Sequence, residues 1–123
     1  MTVPELYERI GGSYESAKRI LPMDKMIGKF VLKFLDDKSC ARLLNGWEAR
    51  SAGDVFEGAH AIKGVCANLG LNSLSEKASE IAEEFRPGNS RQLSDEEVDR
   101  RVAELKALYD TTIDGIRAFQ AEQ

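Results

Sequence analysis

The chain has 123 residues, which suits one domain with a real core. Apolar residues make up 42% and charged residues 31%, a balance that excludes a disordered chain. With 21 Asp and Glu against 17 Lys and Arg the formal charge is −4, which argues against nucleic-acid binding, and the single histidine excludes a metal site built on several His.

Every readable segment has helical periodicity and none alternates with period two, so an all-α fold is expected. Thr2-x-x-Glu5 has the pattern of a capping box with Pro4 in the first turn, and Gly11-Gly12 closes that short helix. Ser13 caps a second short helix whose apolar side is Tyr14, Ala17 and Ile20. Asp24 opens a longer helix with Ile27, Phe30, Val31, Phe34 and Leu35 on one stripe, broken at Asp36-Asp37-Lys38-Ser39. Leu43, Leu44 and Trp47 mark another short helix that closes near 51–53, with Trp47 placed over the end of a bundle. An Asp54/Glu57 box then precedes the stripe Val55, Ala59, Ile62, Cys66, Leu69, and Gly70 is the stop. Ser73-x-x-Glu76 opens the next helix, with Leu74, Ala78, Ile81 and Phe85. Residues 86–93 read as a loop, and Glu83-Glu84 before it as a solvated face. Ser94-x-x-Glu97 starts the last helix, whose acidic first turn suits the dipole. Its stripe runs Val98, Val102, Leu105, Tyr109, Thr112, Ile116, Phe119, the spacing of a bundle seam.

Short loops between amphipathic helices favour antiparallel neighbours. The expected fold is a single domain over 1–123, an antiparallel four-helix bundle within 24–120 preceded by short helices in 1–22. The bundle helices are read as 24–37, 54–70, 73–86 and 95–120, with a connecting helix near 40–50 covering the end. Cys40 and Cys66 lack CxxC spacing and read as buried reduced thiols. No segment is long and apolar enough to span a membrane, and Glu5 and Glu8 stand where a signal peptide would be basic. A cytoplasmic protein is expected.

The informative residue is His60. At about 100° per residue it falls about 140° from the centre of the Val55–Leu69 stripe, so its imidazole is expected to face solvent. Phe56 and Glu57 lie one turn before it, and Gly64 one turn after it shares its face. A helix-interior glycine costs about 1 kcal/mol relative to Ala, and its advantage here is clearance beside the ring. Lys63 lies between the core stripe and the His face, within reach of the ring and with no carboxylate neighbour on its own helix. A neutral ring nitrogen is a nucleophile. A phosphoryl group captured there would be anionic, and the Lys63 ammonium would offset its charge. A single exposed His is by default ordinary surface; beside Lys63 and Gly64 it fits a group that receives and hands on phosphate. Glu57-Gly58-Ala59-His60 also spells the Glu-x-x-His element of di-iron bundles, but one outward-facing copy cannot make such a site. His60 and Cys66 lie on different sides of the helix and cannot share a metal. No Ser has a recognisable nucleophile turn.

The segment Ala59-His60-Ala61-Ile62-Lys63-Gly64, followed by Cys66 at a small-residue position and by Leu69-Gly70, resembles the histidine-phosphotransfer (HPt) family of two-component phosphorelays. The resemblance extends to Phe30 and Phe34-Leu35, to Leu43, Leu44 and Trp47, and to Leu74 and Ile81. It covers about residues 24–86 and takes in the last helix only as a generic amphipathic element. It implies that His60 accepts a phosphoryl group from a receiver aspartate or a histidine kinase and relays it to another receiver domain. Lys63 would help neutralise that group, Gly64 would give access, and the solvent-facing nitrogen, Nε2, would form the bond. The chain would be a phosphocarrier rather than an enzyme. Its implied partners are a response-regulator receiver domain and a histidine or hybrid kinase, with no nucleic acid and no membrane. No cofactor is implied, since no glycine-rich phosphate loop is present and the receiver would supply Mg2+. HPt domains that begin chemotaxis-type kinases carry extra polar partners around the His. Ala82 stands about where one would come from the downstream helix, which favours a relay module. Two alternatives stay open: a non-phosphorylated interaction module on the same scaffold, and a phosphoacceptor domain of a larger kinase, made less attractive by the initiating Met and short tails.

Overall fold

The structure is a computed structural model that describes residues 1–123 and contains helices only. The helices are α1 (Val3–Ile10), α2 (Tyr14–Ile20), α3 (Asp24–Phe34), α4 (Ser39–Glu48), α5 (Ala52–Asn68), α6 (Asn72–Phe85) and α7 (Asp95–Ala121). Four antiparallel rods make the bundle. The first is α3 and α4 together, broken at 35–38, and it follows α7 in the opposite sense. Gly28 faces Phe119, the Phe34 and Tyr109 rings meet edge-on at 5.8 Å, and Trp47 Nε1 donates to Asp99 at 2.6 Å. Then α5 returns beside α4, α6 runs back along α5, and α7 runs along α6. The last pair is tied by Lys77 to Glu104 at 3.4 Å and Arg101 to Glu80 at 3.3 Å. The short helices α1 and α2 lie against the lower part of the bundle, α1 on α7 and α3.

An antiparallel four-helix bundle with added short helices is therefore the observed architecture. One placement differs from expectation. Helix α4 does not merely cover an end; it lies along the first half of α5. Two glycines permit this. A Cβ on Gly58 would stand 2.7 Å from the Leu43 amide nitrogen, and one on Gly46 would stand 2.8 Å from Asp54 Cβ. Trp47, at the far end of α4, does reach the bundle end, edge-on to Phe85 at 5.6 Å with the Arg50 guanidinium 3.8 Å over its ring.

The caps at Thr2/Glu5, Ser13 and Ser94 form as read. The Asp54/Glu57 and Ser73/Glu76 boxes do not. Helix α5 begins earlier, at Ala52, and the Asp54 carboxylate accepts from Ser51 Oγ and Arg42 Nε instead. Before α6, Gly70 takes a left-handed φ of 69°, and the Leu71 amide returns to the Cys66 carbonyl at 2.9 Å. This closing turn delivers the chain straight into α6 at Asn72, so Ser73 is already inside the helix. The core stripes of α5, α6 and α7 are buried, apart from half-buried Tyr109. Ile20 and Phe30 are corrections, at 50% and 39% exposed. Phe30 lies about 70° from the centre of the Ile27/Val31/Phe34 stripe, at the rim of what α3 can bury.

Glu84 is a further correction. It is buried, not solvated: Arg91 Nε donates to it at 2.8 Å, and the Gln92 and Leu93 amides add bonds at 3.1 and 2.9 Å. The carboxylate thus orders the 86–93 loop. Burial pushes the Glu84 carboxyl up, and the Arg91 guanidinium and loop amides more than offset that, so its pKa lies below the ordinary 4.5. A depressed carboxyl pKa adds stability that is complete above the ordinary value and is lost as pH falls through the folded one. Glu84→Ala is expected to lower stability by about 2 kcal/mol at neutral pH. The gap from wild type should narrow well below pH 4.5, which urea melts of both proteins across the acid range will measure.

Candidate functional site

Helix α5 has α4 on one side, α6 on the other, and the core beneath its Val55/Ala59/Ile62/Cys66 stripe. The remaining sector carries Glu57, His60 and Gly64, all exposed. The imidazole therefore faces water, as the angular reading required. Lys63 is half-buried at the α6 border, where Ser75 Oγ donates to its backbone carbonyl at 2.9 Å. Among the lysines only Lys18, Lys77 and Lys106 are ion-paired, which leaves the Lys63 ammonium uncommitted. His60, Lys63 and Gly64 are thus adjacent on one patch.

The two glycines flanking His60 have opposite surroundings. A Cβ on Gly58 would collide with α4, whereas a Cβ on Gly64 would meet nothing within 4 Å. Gly64 accordingly has no structural need for its missing side chain, and what it leaves is open space one turn beyond the imidazole. Gly70 serves α5 differently. Its carbonyl accepts from the Ser13 amide at 2.8 Å, and a Cβ there would stand 2.4 Å from the Ser13 carbonyl oxygen. Beside it, the buried Tyr7 hydroxyl donates to the Leu69 carbonyl at 2.5 Å. The N-terminal helices thereby anchor the end of the His60 helix.

Two features were absent from the sequence reading. The Phe56 ring stacks on the His60 imidazole, and an apolar groove opens between α2, α3 and α5, lined by Ile20, Leu21, Phe30, Phe34, Val65 and Leu69. The first had a signal, since Phe56 is four residues before His60 and such pairs meet on a helix. The second had none, because it depends on how far α2 stands from α5. The groove reaches α5 at Val65, about 7.5 Å along the axis from His60. Ala82 is buried and brings no polar group to the imidazole. Cys66 lies in the core, and burial raises its thiol to about 12; burial likewise raises Cys40 to about 11, so neither is a nucleophile near neutral pH.

The chain matches the family model of the Hpt domain over residues 36–115, and it belongs to that family. Its members are phosphocarriers of histidine phosphorelays. No curated protein and no solved structure matched. The matched span differs from the resemblance read over 24–86: it begins after α3 and takes in α7 as far as Gly115.

Gly64→Ala is expected to raise stability by about 1 kcal/mol, the helix-propensity difference, since the added methyl meets nothing. Gly58→Ala is expected to lower it by about 2 kcal/mol through overpacking against α4. Thermal or urea melts of the two variants distinguish an outward glycine from a packed one.

Proposed function

We propose that the chain is a histidine phosphotransfer protein in which His60 carries the phosphoryl group between receiver domains. The carrying observation is the exposed imidazole with open space at Gly64 and an uncommitted ammonium on Lys63. In the transfer, His60 Nε2 attacks the phosphorus of a receiver phospho-aspartate. The N–P bond forms as the aspartyl O–P bond breaks, and the carboxylate leaves with its electron pair. With the Nδ1 proton retained the phosphorylated ring is an imidazolium, and passing that proton to water gives the neutral phosphoimidazole. The step runs in reverse toward the next receiver. Little covalent chemistry is asked of the carrier; positioning and charge compensation carry it. Lys63 compensates the phosphoryl charge, and the receiver contributes its divalent cation.

The receiver seats over the His60 sector and extends along the apolar groove at Phe30 and Val65. Exposed apolar side chains there offer area that contact with a partner would bury. The absence of a polar group at Ala82 supports a relay role over a kinase substrate domain.

Incubation with receiver domains charged by acetyl phosphate and Mg2+ is expected to place one acid-labile phosphoryl group on the chain. His60→Gln should abolish labelling with no change in thermal melting. Lys63→Ala should slow transfer about tenfold, as expected for about 1.4 kcal/mol of lost charge compensation. Gly64→Ala should slow transfer while stabilising the fold. Labelling of His60→Gln at the wild-type rate would sink the proposal, and a chain that binds receivers without taking label would be an interaction module.

A further inference from the structure

The Phe56 and His60 rings lie 5.4 Å apart between centroids with their planes 18° apart, a stacked pair. The Arg86 guanidinium stands 5.6 Å from the centre of the same phenyl ring, and Arg86 Nε donates to Glu83 at 3.2 Å. Phe56 is half-buried and Arg86 comes from the end of α6, so the phenyl is held from a second element. A helical side chain leans toward the turn N-terminal to its own Cα, which brings the His60 ring onto the residue four before it. Beyond the ring, in the C-terminal direction, lies the empty space over Gly64.

An exposed imidazole is free to rotate about Cβ–Cγ, where the torsional preference is broad and two-fold. Each orientation it samples outside the reactive one lowers the rate of in-line attack. A phenyl plane against one face restricts that rotation. It also covers one face of the ring, while the space over Gly64, on the C-terminal side, stays open.

We propose that Phe56, backed by Arg86, is a positioning residue for His60: it supports the imidazole on its N-terminal side and presents the reactive edge toward the open side over Gly64. This rests on the phosphotransfer role of His60. It adds the direction of approach, in which the phosphoryl group enters across Gly64 and Lys63 and never across Phe56. Phe56 touches no reacting atom; its effect is on the population of the attack-ready ring.

The test compares wild type, Phe56→Leu, Phe56→Tyr and Arg86→Gln. Each is characterised by thermal melting, by NMR of the imidazole C–H signals, and by transfer from the acetyl phosphate-charged receiver that wild type exchanges with fastest. In wild type the imidazole protons should show the ring-current shift of a stacked phenyl. Phe56→Leu keeps an apolar side chain, so the fold should persist while that shift disappears and transfer slows about fivefold to tenfold. Phe56→Tyr restores a flat ring and should restore both. Arg86→Gln should move the imidazole signals in the same direction as Phe56→Leu by a smaller amount; unchanged signals would overturn the part given to Arg86. Phe56→Leu transfer as fast as a competent wild type, with the ring-current shift gone, overturns the positioning role alone. A folded wild type that takes no label on His60 overturns the phosphotransfer reading and the positioning role with it.

Discussion

The close approach of α4 to α5 at Gly58 sets the direction in which every other α5 side chain points. With no Cβ at that position, the Leu43 amide and the Ser39 carbonyl come against the helix backbone itself. Helix α6 closes the opposite side, through contacts such as Ser75 with the Lys63 carbonyl. The core takes Val55, Ala59, Ile62 and Cys66. What is left to water is a narrow sector, and His60 stands in it. Were α4 displaced by a side chain at 58, that flank of α5 would open and the outward sector would lose its definition.

The end of α5 is held as firmly as its middle. The left-handed Gly70 turn, the Ser13 amide and the Tyr7 hydroxyl all fasten the residues just after the helix. Burial raises the Tyr7 phenol far above its ordinary value, so this hydroxyl remains a donor throughout the physiological range. The short helices α1 and α2 thus act on the site at a distance, by fixing the helix that carries it. At the other end of the bundle, Trp47 meets Phe85 beneath Arg50, and Glu84 orders the loop through Arg91. Those contacts stabilise the scaffold without touching the His60 sector.

Around His60 the surroundings are asymmetric. An aromatic ring lies on the N-terminal side, vacant space on the C-terminal side, and a lysine without an ion pair at the α6 border. This suits a domain that supplies geometry rather than acid–base machinery.

The sequence by itself determined the helices, their stripes and the outward direction of His60, because those follow from periods of one helix and need no partner. It also carried the Thr2, Ser13 and Ser94 caps and the Gly70 stop, which are local backbone requirements. Only the tertiary structure decided that Glu84 is a buried anchor, that Ile20 and Phe30 stay exposed beside a groove, and that another backbone comes against Gly58. Each depends on how one segment is placed against another: Glu84 on the loop that follows it, the groove on α2 against α5, and Gly58 on α4 against α5. The period of α5 alone turns Gly64 outward with His60, whereas nothing in that period says what stands where a Cβ on Gly58 would be.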